Sequence, residues 1–467
     1  MTPPLLALCF CGRARLNGAD PAGPAADTDA RPNFIIIFCD DLGYGDLGCF
    51  GSKKIRTPNV DRMAAEGMCF TSFYSTSGVC SPSRSSLMTG CYPRRVNLHQ
   101  SHDRRPGHQC VLYPADRTGL HPDEITVAEV LKQAGYATMC IGKWHLGDQR
   151  EFLPTRQGFD SYFGIPYSND MGRKNIPLPL LRGEVVIEAP VSQETLTRRY
   201  TEEAVRFIEK NKERPFFLYL PHTFPHFPLF ASERFRGKSQ AGEYGDAVEE
   251  IDWSMGEILD ALKRLGIDSR TLMVFTSDNG GQHPWGSNAP LRGTKGSTLE
   301  GGMRVPCVIR WPGWIPPGRR CDQVTATIDL LPTFARLARA NPPSDRVIDG
   351  KDIWPLMAGR EDARSPHEAF YYYGADPNRG AQMDQLQAVR AGKWKLHLAM
   401  KRLKLFDLEA DVHEDHDLAA QHPEVVTRLQ TLADRARQDL GDVGRRGQGQ
   451  RPAGWVDKAA PLLLERP

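Results

Sequence analysis

The chain has 467 residues, 40% of them hydrophobic and 25% charged, a composition typical of globular proteins rather than disordered ones. Its formal net charge is only +2, so the charge of the chain gives no reason to predict binding to nucleic acid. No apolar run reaches the roughly 20 residues that a membrane-spanning helix requires.

Residues 1–32 are predicted to be a leader and linker. Residues 4–11 form a short apolar stretch that resembles a degenerate export signal, but no positive charge precedes it. A disordered leader is the alternative interpretation. Residues 19–32 are rich in proline, alanine and aspartate, as linkers are.

From residue 33 the pattern predicts an α/β fold. Residues 34–38 form a continuous apolar run with β-branched residues, which indicates a strand buried on both faces. A helix pattern followed by a short apolar strand then recurs in 126–147, 201–222 and 252–280. Such alternation predicts a doubly wound, mixed and mostly parallel sheet flanked by helices.

The pattern changes near residue 362. Residues 369–374, 386–398 and 404–409 look like short antiparallel strands, and 423–440 look like a helix. We therefore expect a catalytic domain over 33–362 and a smaller C-terminal α+β domain over 363–445. An irregular tail is expected over 446–467.

Polar residues follow the predicted strands, where the chemistry of doubly wound sheets is found. Asp40 and Asp41 follow the first strand, and Asp278 and Asn279 follow a later one. Each pair alone is also explained as a helix cap or a turn. Together they offer only oxygen ligands and would repel one another without a cation, so we favour a site for Ca²⁺ or Mg²⁺.

A second set of residues is cationic. Lys143 and His145 lie in "GKWHLG", His226 lies in "PHTFPHFP", and Lys295 lies in a glycine-rich loop. A lone lysine is usually a solvated surface charge, and a lone histidine usually a packing residue. Beside metal carboxylates, however, such a set predicts binding of a phosphate or sulfate ester. The same set includes Arg84 and Arg304, with His222 as a weaker candidate.

Several motifs resemble those of one known family, the type I sulfatases. "CSPSRSSLMTG" is similar to the family signature C-x-P-S-R, and "GKWHLG" is similar to its second signature. "DDLG", "PHTFPHFP", "SDNG" and "KGSTLEGG" also match in the family's order. The resemblance covers roughly residues 33–440, is closest to arylsulfatase A-like enzymes, and implies the alkaline phosphatase superfamily fold.

The resemblance implies that Cys80 is oxidised after translation to Cα-formylglycine. A maturation enzyme would read Cys80, Pro82 and Arg84 in the linear chain. One hydroxyl of the hydrated aldehyde would attack sulfur and form a covalent sulfate hemiester. The second hydroxyl would lose its proton and expel sulfate, regenerating the aldehyde.

The resemblance also implies a role for each matched residue. Asp40, Asp41, Asp278, Asn279 and the modified Cys80 would hold one divalent cation, Ca²⁺, with Mg²⁺ as the alternative. Arg84 and His145 would hold and deprotonate the diol. The sulfate oxygens would be bound by Lys143, His226 and Lys295, and Ser168 matches a substrate-pocket serine. Either His226 or Lys295 would protonate the leaving alcohol.

The expected function is therefore hydrolysis of an organic sulfate ester, either a sulfated carbohydrate or an aryl sulfate, by an exported protein in the periplasm or outside the cell. Two alternatives remain open. One is a phosphonate monoester or phosphodiester hydrolase on the same fold, and the other is a catalytically silent binding protein. Arg104 or Arg105 is expected to contact a second anionic group of a glycan.

Overall fold

The computed structural model describes residues 31–103, 111–374, 385–400 and 402–464. Most of the predicted leader, and both Arg104 and Arg105, lie outside these ranges. None of the helices within them is both long and apolar enough to cross a bilayer.

The strands in these ranges, in chain order, are β1 Asn33–Cys39, β2 Met68–Phe70, β3 Phe73–Tyr74, β4 Thr118–Gly119, β5 Ala137–Ile141, β6 Ser161–Gly164, β7 Leu180–Arg182, β8 Val185–Glu188, β9 Phe216–Pro221, β10 Thr271–Ser277, β11 Cys307–Arg310, β12 Arg319–Cys321, β13 Thr325–Ala326, β14 Phe370–Gly374, β15 Gln385–Ala391, β16 Trp394–His397, β17 Lys404–Asp407, β18 Gly441–Asp442, β19 Arg445–Arg446 and β20 Gly454–Trp455. The α-helices are α1 Pro58–Ala65, α2 Cys80–Thr89, α3 Val127–Gln133, α4 Leu196–Asn211, α5 Gly242–Arg264, α6 Glu300–Met303, α7 Leu330–Leu337, α8 Trp354–Met357 and α9 Pro423–Asp439.

The main sheet has the strand order β12-β2-β11-β10-β1-β9-β5-β6-β7-β8. Its central strands, from β10 to β6, run parallel, and β11 and β7 pair antiparallel on either side. Because β1 is central and buried on both faces, its sequence is apolar without alternation. The predicted doubly wound α/β fold is confirmed.

Helices cover both faces of this sheet. On one face, the side chains of Ile35 and Ile37 pack in a core with residues of α1, α4 and α5. On the other face, Phe34 and Ile36 pack with residues of α2, α3 and α7. Alternate residues of β1 therefore point into different cores, as the two-residue repeat of a strand requires.

The helix and strand boundaries follow local sequence chemistry. At the start of α3, the Thr126 hydroxyl accepts the Glu129 N–H, and the Glu129 carboxylate accepts the Thr126 N–H, which completes a capping box. Helix α2 ends at Gly90, whose φ of 68° lies in the left-handed region that glycine adopts without strain.

A second, antiparallel sheet has the order β14-β15-β16-β17. Helix α9 covers it, because Leu432 and Ala436 pack with Leu386 and Val389. This confirms the smaller α+β part. The described residues from Arg31 onward form one compact unit, so the domain limits at 362 and 445 stay predictions.

The C-terminal segment is more ordered than its sequence suggests. In the tail predicted as irregular, β20 pairs antiparallel with β4, so that Trp455 lies opposite Thr118. The Arg117 guanidinium lies 4.3 Å from the centre of the Trp455 ring. The Gly/Pro-rich composition of the tail gave no signal for this pairing, because the partner strand is more than 300 residues away.

Candidate active site

Polar residues at the carboxyl ends of neighbouring strands meet in one place. Strands β1 and β10 are parallel and in register, with Cys39 opposite Ser277. Asp40 and Asp278 follow these residues directly and therefore lie side by side. Carboxylate oxygens of Asp40, Asp41 and Asp278 lie within 4.8 Å of one another, and all three side chains are buried.

A sharp turn after β1 lets two consecutive aspartates face the same point. Asp41 has a φ of 67°, in the left-handed region that is strained for a residue with a side chain. Gly43 follows where the chain passes close to a second loop, because a Cβ there would lie 2.4 Å from the Ser287 carbonyl oxygen. The Asp41 N–H donates to Oδ1 of Asp278 at 3.1 Å, which holds the turn against β10.

Asn279 completes the oxygen cluster. Its Nδ2 donates to Oδ1 of Asp41 at 2.7 Å and to the Gly280 carbonyl at 3.0 Å, which fixes the orientation of the amide. Its Oδ1 is buried and has no hydrogen-bond partner within the described residues. A buried amide oxygen without a partner is costly, and together with the three carboxylates it suits a hard divalent cation.

The carboxylates are also paired with cations of the chain. Lys143 Nζ lies 2.5 Å from Oδ2 of Asp40, and Lys295 Nζ lies 2.7 Å from Oδ2 of Asp41. Arg84 Nη2 donates to Oδ2 of Asp278 at 2.9 Å. Repulsion among carboxylates is thus already offset, so the case for a metal depends on Asn279 Oδ1 and the all-oxygen ligand set.

These charges shift the carboxylate pKa values in opposite directions. Burial alone would raise the pKa of Asp40, but Lys143 leads the cations that hold it well below its usual range. Burial, followed by the charge of Asp40, raises the pKa of Asp278 to about 7. Two neighbouring acids with separated pKa values are characteristic of functional sites.

Cys80 is the first residue of α2 and points into this cluster. Its Sγ lies 3.5 Å from Oδ1 of Asp40, and its side chain is buried. Burial raises the pKa of the Cys80 thiol, so the reactive thiolate is disfavoured. An unmodified Cys80 is therefore a poor nucleophile here.

His145 lies beside the cluster with a φ of 62°, again in the left-handed region. Its Nε2 is 2.9 Å from the Leu112 carbonyl oxygen, so Nε2 carries a proton. Burial, then the charges of Lys143 and Arg84, lower the pKa of His145. In the neutral ring, Nδ1 is therefore the basic nitrogen, and it has no partner among the described residues.

His226 and Ser168 lie on the side of the site opposite β10. His226 Nε2 is 3.5 Å from the Ser168 hydroxyl and 3.8 Å from Oδ2 of Asp41. The Ser168 hydroxyl accepts a hydrogen bond from Lys143 Nζ at 3.2 Å. These contacts link the expected metal, nucleophile and substrate residues into one group, except His145, whose described hydrogen bond is to Leu112.

Two further candidates, Arg304 and His222, make no ion pair with the carboxylate cluster within the described residues. Arg304 donates to the Thr71 carbonyl at 2.6 Å and pairs with Glu300 at 3.3 Å, so its inclusion in the cationic set was wrong. His222 is buried, and burial lowers its pKa to about 3. Neither ring nitrogen of His222 contacts a polar group in the described ranges, so it supplies no charge to the site.

Sequence reasoning missed Asn169, the neighbour of Ser168. Its Oδ1 lies 3.1 Å from His226 Nδ1, and its Nδ2 donates to the Pro228 carbonyl at 3.0 Å. Because that amide orientation is fixed, His226 carries its proton on Nδ1. The only sequence signal was the position of Asn169 directly after Ser168 in "PYSND".

Comparisons with known proteins agree with this geometry. A family model named Sulfatase matches residues 32–340, and a model for the C-terminal part of N-sulphoglucosamine sulphohydrolase matches residues 295–439. The dog N-acetylgalactosamine-6-sulfatase is 43% identical over 394 residues, which cover 80% of this chain and 73% of that protein. Human arylsulfatase A is 38% identical over 427 residues, which cover 85% and 81%.

Solved structures give the same result. The crystal structure of Ps i-CgsB superposes with a TM-score of 0.75 at 32% identity, covering 87% of this chain and 92% of that one. The family and the enzyme class inferred from the motifs are confirmed by these relatives. The chain belongs to the sulfatase family and is a sulfuric ester hydrolase with an alkaline phosphatase-like fold.

Proposed function

We propose that the chain releases sulfate from a sulfated sugar, with a formylglycine derived from Cys80 as the nucleophile. The observation that supports this proposal most directly is the contact of Cys80 Sγ with Oδ1 of Asp40, at 3.5 Å, in a buried cluster of carboxylates and cations. The raised pKa of the thiol argues against cysteine itself as the attacking group. A hydrated aldehyde at the same position would bring two hydroxyls into the cluster.

The recognition sequence for this modification is buried in the folded chain. Cys80, Pro82 and Arg84 all lie in α2 and are buried. Arg84 also binds the Lys143 carbonyl and Asp278. A maturation enzyme would therefore have to act before α2 packs, and Arg84 would take up its contacts in the site afterwards.

The lysines and the histidines would have different roles, sulfate binding for the lysines and proton transfer for the histidines. Lys143 and Lys295 would bind the sulfate oxygens, and Lys295 reaches the surface, with 17% of its side chain exposed. Burial alone would lower the pKa of Lys295, but Asp41 raises it, so this lysine stays charged and suits anion binding. His226 would donate to the leaving alcohol through Nε2 only when both ring nitrogens are protonated, since Asn169 holds the Nδ1 proton; burial lowers the pKa of His226, and Asp41 and Asp40 oppose that effect. His145 would take the proton of the diol through Nδ1.

Asp40, Asp41, Asp278 and Asn279 would hold one divalent cation, for which we propose Ca²⁺. The ligands are carboxylate and amide oxygens at the ends of two strands, the set that hard cations prefer. Such a cation would polarise a sulfate oxygen and favour the ionised form of the nucleophile. The chain's own contribution is the turn at Asp41 and the fixed amide of Asn279.

A sugar sulfate is the substrate class that we favour. The dog relative is an N-acetylgalactosamine-6-sulfatase, and another crystal structure of Ps i-CgsB contains k-i-k-neocarrahexaose, with 32% identity to this chain. Aryl sulfates, to which arylsulfatase A owes its name, are the alternative.

The test is a panel of sulfate esters with free sulfate as the readout, run beside an aryl phosphonate ester. We expect release from a sugar 6-sulfate and little phosphonate hydrolysis. Mass spectrometry of the peptide that contains Cys80 should show the aldehyde, and Cys80→Ala should abolish turnover. A free thiol in fully active protein, or a strong preference for the phosphonate, would overturn this assignment.

A further inference from the structure

Two exposed aromatic side chains stack on each other next to the candidate active site. The ring centres of Phe227 and Trp285 are 4.8 Å apart, and the ring planes differ by 9°. Phe227 is 48% exposed and Trp285 is 38% exposed, although large apolar side chains are usually buried. We call this pair the aromatic platform.

The Phe227 half of the platform is held by the same residue that orients His226, Asn169. Asn169 binds His226 Nδ1 through its Oδ1 and the Pro228 carbonyl through its Nδ2. Phe227 lies between these two residues, so its backbone is clamped on both sides. The platform therefore begins one residue from the histidine that faces Ser168 and Asp41.

The Trp285 half is fastened to the loop that carries Lys295. The Lys295 N–H donates to the Gly281 carbonyl at 3.1 Å, and Asn288 Nδ2 donates to the same carbonyl at 2.9 Å. The His283 N–H donates to the Thr294 hydroxyl at 3.1 Å. These hydrogen bonds fasten the segment of Trp285 to the segment of Lys295, and the platform joins the loops of His226 and Lys295, whose side chains both face Asp41.

The neighbours of the platform indicate what it binds. Gln282, which is half-buried, and His283, which is exposed, lie within three residues of Trp285, so polar residues adjoin this half of the platform along the chain. A pyranose ring has one apolar C–H face and a rim of hydroxyls, which suits an exposed aromatic ring with polar neighbours.

We propose that the aromatic platform binds the sugar ring that adjoins the sulfated one, so that this enzyme prefers sulfated oligosaccharides over monosaccharides. This inference rests on the proposed function, because the sulfated ring is taken to lie between His226 and Lys295. The platform then sets substrate length, while the cluster below it performs the chemistry.

The kinetic test compares two sulfate esters of one sugar. One is the methyl glycoside of N-acetylgalactosamine 6-sulfate, and the other is a tetrasaccharide of alternating uronic acid and N-acetylgalactosamine 6-sulfate. We expect Phe227→Ala and Trp285→Ala each to lower the ratio of kcat/KM for the tetrasaccharide to that for the monosaccharide about two- to tenfold, the range of one aromatic stacking contact. The loss should appear in KM, and Trp285→Phe should retain most of the ratio.

Trp314→Ala is the matched control. Trp314 is 44% exposed and stacks on Trp311 with ring centres 5.0 Å apart. Trp314 lies four residues after Arg310, the last residue of β11. Arg310 is opposite Met273, near the start of β10, whereas Asp278 follows the other end of β10. This variant should leave the ratio unchanged. A ratio that stays at the wild-type value in both Phe227→Ala and Trp285→Ala would overturn the platform.

A binding experiment separates this proposal from the proposed function. The desulfated tetrasaccharide is mixed with each protein, and magnetisation transfer from protein to sugar is measured by NMR. We expect transfer to the C–H face of one ring in wild type and its loss in both alanine variants. If wild type releases no sulfate but transfer is present in wild type and lost in both alanine variants, the proposed function is wrong and the platform proposal stands. Transfer that persists in both variants would refute the platform proposal.

Discussion

The Nζ atom of Lys395, on the C-terminal sheet, lies 2.9 Å from Oε1 of Glu300. Glu300 is five residues after the candidate active-site residue Lys295. Both side chains are fully buried, and Lys395 also lies 2.9 Å from Glu414. Burial alone would raise the pKa of Glu300, but Lys395 leads the cations that hold it well below its usual range. A buried ion network therefore ties the second sheet to the loop that carries Lys295.

Lys395→Met should lower the free energy of unfolding by about 3–5 kcal/mol, because it leaves two buried carboxylates without their shared cation. Denaturant unfolding followed by circular dichroism measures the change. Lys393→Met is the control, since Lys393 is 41% exposed and pairs with a single carboxylate, that of Asp407. It should cost less than about 1 kcal/mol. Equal losses in the two variants would contradict the network.

Asn169→Ala should lower kcat by about tenfold or more, because positioned proton transfer contributes about 10²–10⁴-fold and His226 would lose the group that orients it. Steady-state sulfate release measures the effect. Gln193→Ala removes a different partner of Asn169, at 3.0 Å from its Nδ2, and leaves the contact with His226 intact. We expect nearly normal kcat in that control; an equal loss there would mean that Asn169 acts only through packing.

Asn279→Ala should weaken metal binding by about tenfold or more, since loss of groups around a metal typically has effects of this size. Elemental analysis of purified protein should show one divalent cation per wild-type chain and less in the variant. Chelation should remove activity, and added Ca²⁺ should restore it better than Mg²⁺. Asn59→Ala, which alters a contact with Asp252, is the control and should retain the metal. Full activity after exhaustive chelation would exclude the site.

The stability of the protein should depend on pH through His367. Its Nε2 lies 2.8 Å from Oδ1 of buried Asp329. Burial alone would lower the pKa of His367, but Asp329 raises it above 6.5. A raised pKa in the folded state means that this stabilisation is complete below about pH 6.5 and is lost as the pH rises through the folded value.

Thermal unfolding between about pH 5.5 and 9 measures this dependence. Wild type should lose more stability across this range than His367→Gln. His413→Gln should behave as wild type, because His413 and its partner Asp415 are both about half exposed. Identical pH slopes for wild type and His367→Gln would contradict the assignment.

Local chemistry predicted most of the elements. The apolar run at residues 34–38 is the central strand β1, and the Thr126 capping box starts α3. Strand ends were also informative, because parallel strands in register bring the residues that follow them to one edge. That rule alone places Asp40 beside Asp278.

Other parts of the site depended on contacts between distant segments. Arg304 follows the same loop as Lys295, yet it turns to Glu300 because that buried carboxylate is within reach. Trp455 pairs with Thr118 of a strand that is distant in sequence, and Phe227 stacks on Trp285 although 57 residues separate them. The sequence around each of these residues does not predict which distant residue it contacts.

The sequence by itself determined the family, the fold class and the residues that meet at the strand ends, since these follow from motifs, hydrophobic periodicity and sheet geometry. Only the tertiary structure decided which charge pairs with which carboxylate, which nitrogen of His145 is free, and which aromatic rings stay exposed. The physical reason is that burial and ion pairing depend on distances in space, and in a chain of 467 residues those distances do not follow from separation along the sequence.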